Sequence, residues 1–360
     1  MKSLEINSNL AAKSDYAGIL NLDDIEKSAR SFTRYVKKMM EELSVPAEVM
    51  EGVKYYREQL QSILDRMDDR LIVICGPCSI HDEVSAIDYA QRLLKLAPKV
   101  EKKIMLVMRT YFEKPRTTVG WKGFVADPDL DGSGNIGSGI YNARKLLLQV
   151  AKLGVPTATE MLDPVFFPFM EDLISYVAIG ARTVESQIHR QVASGLPCPV
   201  GLKNSTDGRV ESSVEALEAV SCSHSFIEPS LHYGFHVKTT AGNNYAHVIL
   251  RGGKAPNYDS ESIMTCEKAL MKANLKPSII VDCSHGNSGK KAANQSKVLR
   301  DCVRQIKEGN QSIIGFMLES NIHHGKQDVR KGTPLLYGVS ITDECIGWEE
   351  TEELILELAE

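Results

Sequence analysis

From residue 71 onward the sequence alternates between short apolar runs and helix-periodic segments, and few folds accept that pattern. The runs are LIVIC (71–75), IMLVM (104–108), VPTAT (155–159), YVAIG (176–180), CPVGL (198–202), SFIEP (225–229), HVIL (247–250), SIIVD (278–282) and IIGFML (313–318). Strands that are apolar on both faces and alternate with helices form a parallel sheet covered on both sides. Nine runs, one of them pairing off in an insertion, leave the eight of a (β/α)8 TIM barrel, a fold that takes about 250 residues. The stretch HYGFHVKTTAGNNYAHV lacks helical periodicity and reads as an inserted β-hairpin, around residues 229–250. A doubly wound sheet is the rival architecture.

Between the runs, AIDYAQRLLKLA carries apolar residues at 87, 90, 93, 94 and 97, and NQSKVLRDCVRQIKEG presents Val298, Leu299, Cys302, Val303 and Ile306 on one face. ARKLLLQVAKLG stops at Gly154, and Asp163-Pro164 has the form of a cap that starts the next helix. Before residue 71 the texture differs. LDDIEKSARSFTRYVKKMMEEL and AEVMEGVKYYREQLQSILDRMDDR are amphipathic and separated by Pro46. The expected organisation is a helical N-terminal extension over 1–70 that packs on something, and a barrel over 71–360.

The formal net charge of -5 over 360 residues argues against a nucleic-acid partner, because phosphate backbones demand a basic face. No apolar stretch has the length of a signal peptide's core or a membrane span, so a cytoplasmic protein without membrane contact is expected. In that compartment the eight cysteines are expected to be mostly reduced thiols, not a disulfide framework. No paired CxxC motif is present, so a metal site has to be assembled from distant residues.

Barrel enzymes carry their chemistry where the strands end. Cys78 follows the first run, Arg109 the second, Glu160 the third and Arg182 the fourth; Lys203, Arg251, His285 and Glu319 follow later ones. Two like charges about 5 Å apart repel by roughly 3 kcal/mol at an effective dielectric of 20. Four cations around one mouth therefore call for an anion with several charges, such as phosphate plus carboxylate. Cys78, His285, Glu319 and Asp343 in SITDECIGWEE form a mixed S/N/O set suited to one divalent Mn, Fe, Co or Zn ion. Two other patterns fail. DPDLDGSGNIGS (127–138) has Ser138 where a calcium loop needs a bidentate Glu, and no strand feeds its G-x-G-x-x-G spacing. It reads as a loop.

GPCSIHD, MRTYFEKPRTTVGWKG, GARTVESQIHR, GLKNSTDG, ILRGGKAPNY, DCSHGNS and SITDECIGWE together resemble the microbial type I 3-deoxy-D-arabino-heptulosonate 7-phosphate (DAHP) synthases, in register from about residue 65 to the end. The resemblance implies a (β/α)8 barrel with an N-terminal extension and an inserted strand pair. It implies metal-dependent condensation of phosphoenolpyruvate with D-erythrose 4-phosphate and water, the first step of the shikimate pathway to the aromatic amino acids. Carried over by motif, the metal ligands would be Cys78, His285, Glu319 and Asp343. Phosphoenolpyruvate would meet Arg109, Lys114, Glu160, Ala181, Arg182, Lys203 and Arg251. Erythrose 4-phosphate would meet Lys114, Pro115, Arg116, Thr117 and Asp343. The catalytic roles would fall to Lys114, Cys78 and His285. Oxidised, metal-free enzyme is expected to form a Cys78–Cys345 disulfide, since Cys345 follows Asp343 on a segment that must approach the metal.

The resemblance further implies a homodimer or homotetramer inhibited by an aromatic amino acid, a catalytic role for the 71–360 barrel, and oligomer or effector contacts for the 1–70 extension. GGKAPNY and CSHGNS point toward tyrosine, and Pro197 stands where relatives usually carry serine. A sister synthase that condenses phosphoenolpyruvate with arabinose 5-phosphate, a metal-dependent sugar-phosphate aldolase and a non-catalytic amino-acid-binding regulator are the rival functions.

Overall fold

The computed structural model describes residues 22–230, 234–330 and 332–360. The chain divides into two compact units, 1–42 and 43–360. In the first, the described residues form helix α1 (Leu22–Glu42), whose i,i+4 spacing brings Lys38 Nζ within 3.6 Å of Glu42. Residues 1–21 lie outside the described residues.

The second unit is a closed parallel barrel. Its strands are β1 (Leu71–Gly76), β2 (Ile104–Arg109), β3 (Thr157–Glu160), β4 (Tyr176–Ile179), β5 (Val200–Lys203), β8 (Ala246–Leu250), β9 (Ile279–Asp282) and β10 (Ile313–Glu319). They follow one another around the ring in chain order, and β1 closes it by pairing with both β2 and β10. Val73, for instance, sits opposite Leu106 on one side and Phe316 on the other. The apolar runs are continuous because each strand is buried on both faces.

The inserted pair is β6 (Ser225–Ser230) with β7 (Gly234–Thr239), antiparallel in a sheet of its own. It begins earlier than the sequence pattern suggested, and Ala246–Leu250 belongs to the barrel instead. Alternation explains the difference. Ile227, Phe235 and Val237 of the hairpin are exposed, whereas Val248, Ile249 and Leu250 are fully buried. The helix expected after Asp163-Pro164 is replaced by two 3-10 turns, Phe167–Phe169 and Glu171–Leu173. Asp163 does cap locally, accepting from Val165 N at 2.8 Å, but Pro168 has no N–H to continue an α-helix.

Helix α2 (Ala47–Leu64) belongs with the barrel, so the division falls after Glu42 and not at residue 70. Leu60, Ile63 and Leu64 are buried in the same cluster as Ile72, Met105, Tyr176 and Ile314. They cover the end of the barrel where the strands begin. Burying each contributes about 2 kcal/mol. Arg57 fixes the helix by donating to the carbonyls of Glu171 (2.6 Å) and Ile174 (2.7 and 2.9 Å), and Tyr56 Oη donates to Gly154 O at 2.6 Å. With that end stoppered, the functional side chains collect at the opposite rim.

Candidate active site

At the C-terminal end of β1 the chain turns through Gly76 and Pro77, which leaves Cys78 buried on the lip. A Cβ on Gly76 would stand 2.8 Å from Arg109 O, so only glycine lets β1 and β2 approach this closely at φ +151°. Cys78 Sγ lies 3.6 Å from Asp343 Oδ2 and accepts from Lys114 Nζ at 2.9 Å and from Asp343 N at 3.4 Å. One ligand atom each from Cys78, Glu319 and Asp343 falls within 4.8 Å of the others. Burial first, and then the Glu319 carboxylate, push the Cys78 thiol up to about 11 against the pull of Lys114.

His285 stands beside this trio. Its Nε2 is 3.6 Å from Glu319 Oε1. Its backbone is left-handed at φ 54°, which a non-glycine residue adopts at a cost that the surrounding fold must hold. The β8 and β9 loops do the holding. Asn287 Oδ1 accepts from Asn257 N at 2.8 Å, while its amide donates to Leu250 O and Asp282 O. Asn204 Oδ1 accepts from Arg251 N at 2.8 Å. A Cβ on Gly252 (φ +71°) would lie 2.6 Å from Asn287 N, so glycine there lets the loops bearing Arg251 and His285 touch.

Two of the four rim cations are buried and paired. Arg109 donates to Glu319 Oε1 (2.9 Å), Pro77 O and Cys78 O, and its guanidinium stacks 3.6 Å from the centre of the Tyr111 ring. Lys203 Nζ is 2.8 Å from Asp282 Oδ2. The other two stand more open: Arg182 donates to Thr117 Oγ1 at 3.3 Å, and Arg251 to Gly252 O at 3.2 Å. Among the described residues no carboxylate pairs with either, so their charge is available to an anion. Lys114 is buried, with no carboxylate within salt-bridge distance among the described residues; burial alone would lower its ammonium, but the Cys78 and Glu319 charges hold it above the usual range.

The remaining expected residues are less enclosed. Glu160 ends β3 with its carboxylate against Gly180, immediately before Ala181. Pro115 is half-buried, and Arg116 and Thr117 are exposed, with Arg116 Nε held by Trp121 O at 2.7 Å. Cys345, in the last rim segment, is a buried free thiol, as is Cys78. In the 127–138 stretch Asp127 accepts from Gly132 N, and a helix (Ile136–Lys152) begins inside it behind an Asn135 cap.

Sequence reasoning passed over Asp282. It is the last residue of β9, fully buried, and accepts from Lys203 Nζ, from Ser284 Oγ at 2.6 Å and from Ser284 N at 3.0 Å. Its second oxygen is also 3.0 Å from His285 Nδ1. Burial alone would raise this carboxyl; His285 and Lys203 outweigh it and hold the group well below the usual carboxylate range. An acid at the end of an otherwise apolar run was the available signal.

The donor chemistry fits a divalent cation: one sulfur, two carboxylates and an adjacent imidazole, with anions gathered closer than repulsion favours. Fold and site thus define a (β/α)8-barrel enzyme whose rim joins a metal-type donor cluster to a basic cradle. Comparison with known proteins narrows this. The DAHP synthetase I family model matches residues 47–356, and the chain belongs to that family. It is 51% identical over 303 residues to the Trp-sensitive phospho-2-dehydro-3-deoxyheptonate aldolase of Escherichia coli O157:H7, spanning 84% of this chain and 87% of the relative. The Tyr-sensitive enzyme of E. coli strain K12 is 50% identical, over 84% of this chain and 85% of its own length. The solved phospho-2-dehydro-3-deoxyheptonate aldolase of Francisella tularensis SCHU S4 superposes with a TM-score of 0.88 at 43% identity, covering 90% of this chain and 95% of that one. The activity is therefore that of a DAHP synthase, the first step of aromatic biosynthesis.

Proposed function

We propose how the rim divides this synthase's labour. Cys78, His285, Glu319 and Asp343 hold one divalent metal. Arg109, Lys114, Arg182, Lys203 and Arg251 cradle phosphoenolpyruvate, with Glu160 and Ala181 alongside; Lys114, Pro115, Arg116, Thr117 and Asp343 face erythrose 4-phosphate. The observation that carries this reading is the contact between the two halves: Lys114 touches Cys78, and Arg109 touches Glu319, so donor cluster and cradle share one pocket.

When bound, the metal supplies Lewis acidity toward the aldehyde oxygen of the sugar phosphate. The arginines neutralise phosphate and carboxylate charge and hold the enol carbon of phosphoenolpyruvate at attack distance from the aldehyde. Lys114 Nζ, held over the lip, gives a proton to the alkoxide that develops there. Water then adds at the second carbon of the enolpyruvyl group, and phosphate leaves.

The reading extends to regulation. Relatives are named Trp-sensitive and Tyr-sensitive, which supports an aromatic amino acid effector, with tyrosine the choice here. A homodimer or homotetramer in the cytoplasm completes the reading; no described helix is long and apolar enough to cross a membrane.

A phosphate-release assay tests it. Phosphoenolpyruvate plus erythrose 4-phosphate is expected to release phosphate, chelator to abolish release, and tyrosine to depress it. Equal release with arabinose 5-phosphate, or turnover of sugar phosphate without phosphoenolpyruvate, would contradict the reading.

A further inference from the structure

We infer that Asp282 is a positioning residue that serves both halves of the site at once, orienting His285 toward the metal and Lys203 toward phosphoenolpyruvate. The inference rests on the residue roles proposed above and adds one group to them. Oδ2 of this fully buried carboxylate is 2.8 Å from Lys203 Nζ and 3.0 Å from His285 Nδ1. Glu319 Oε1 also lies between Arg109 (2.9 Å) and the Nε2 edge of the ring (3.6 Å), but among the described side chains only Asp282 pairs with both Lys203 and the Nδ1 edge.

The hydrogen-bond pattern assigns the imidazole tautomer. Ser284 Oγ gives its only proton to Asp282 Oδ1 at 2.6 Å, so at its 2.7 Å contact with His285 Nδ1 it can only accept. Nδ1 therefore carries the proton, directed at Ser284 and Asp282. Nε2 keeps its lone pair on the side facing Glu319, where a metal would sit. An imidazole that donates its far N–H to a carboxylate is fixed in ring orientation and is the better ligand for it, and losing such a carboxylate typically costs 10–100-fold in metal affinity or activity. The same oxygen holds Lys203. A lysine stem is flexible, and its charge points usefully into the cradle only if something pins the ammonium. Because β9 carries Asp282 on its last residue and pairs with β8, the carboxylate stands on a strand, not on a mobile loop.

The test compares D282N, K203A and H285A in the full chain. Mn2+ affinity is read by competition with a chelating dye, and the phosphoenolpyruvate KM is read at saturating Mn2+. D282N is expected to lower Mn2+ affinity 10–100-fold and to raise the phosphoenolpyruvate KM at least tenfold. K203A should raise only the KM, and H285A should lower Mn2+ affinity. A purely structural role for Asp282 would change thermal stability without moving Mn2+ affinity. If D282N leaves Mn2+ affinity within twofold of the unmodified chain, the inference is overturned. If K203A leaves the KM and H285A leaves Mn2+ affinity unchanged, the residue roles themselves fail, and this inference with them. Should D282N not fold because the Lys203 ammonium is left buried and unpaired, the K203M/D282N pair removes that charge. Its Mn2+ affinity must then fall 10–100-fold below that of K203M alone.

Discussion

The Lys114 ammonium and the Cys78 sulfur are in contact at 2.9 Å, one from the loop after β2 and the other from the lip of β1. The contact puts an ammonium beside a metal-type ligand, both of them buried. The proton-donor role proposed for Lys114 can be separated from metal binding. Replacing Lys114 by Met should lower kcat 10²–10⁴-fold, the range for losing a positioned proton donor, while bound metal is retained. Steady-state kinetics with metal analysis of the same sample checks both halves.

Stability on the alkaline side is expected to depend on Glu113. Burial, then the nearby Asp163 and Glu160 charges, push its carboxyl up from 4.5 to about 8. The unfolded chain gives up this proton at 4.5 while the native one keeps it, so stability declines as pH rises through the window to about 8. Between pH 6.5 and 8 the decline amounts to about 2 kcal/mol, taking 1.4 kcal/mol per pH unit. Urea unfolding of E113Q should show that portion of the pH dependence flattened; an unchanged slope would assign the decline elsewhere.

His247 governs the acid side. Its ring is fully buried, with Nε2 2.8 Å from Tyr176 Oη and Nδ1 3.2 Å from Tyr245 O, and burial lowers it from 6.5 to about 4. The unfolded chain takes up a proton that the native chain refuses, so stability present above 6.5 is lost as pH falls toward 4. H247N should remove most of that loss, as read from midpoints of urea unfolding at pH 6.5 and pH 5.

The stopper at the strand-start end of the barrel is testable without touching the chemistry. Leu60 is fully buried, so L60A should destabilise the chain by 2–5 kcal/mol through lost contacts and a cavity. Folded enzyme should keep its phosphoenolpyruvate KM, since Leu60 lies among residues of the opposite end.

Much of this was legible in the sequence, for reasons particular residues show. Parallel strands buried on both faces leave an uninterrupted apolar signature, so LIVIC and IIGFML announced β1 and β10 directly. Residues just beyond such runs must reach the rim, which placed Cys78, Arg109 and Glu319 before any coordinates. Other features depended on contacts that one-dimensional pattern does not carry. Asp282 sat inside a run and was counted as strand, although its carboxylate holds Lys203 and adjoins His285. Helix α2 looked like part of an extension because its amphipathic face does not say what it covers, and that face turns out to share a buried cluster with Ile72 and Tyr176. The 3-10 turn at Phe167–Phe169 escaped because the Asp163-Pro164 start signal is real and only Pro168 interrupts it.

X-ray absorption at the zinc edge of the Zn2+-loaded chain bears most directly on the whole account, because it asks whether Cys78 shares one ion with oxygen and nitrogen donors. The expected result is a single sulfur at about 2.3 Å among N/O ligands at about 2.0–2.2 Å, with the sulfur shell lost in C78S. A shell of N/O donors alone in the unmodified chain, or a sulfur that persists in C78S, would contradict it.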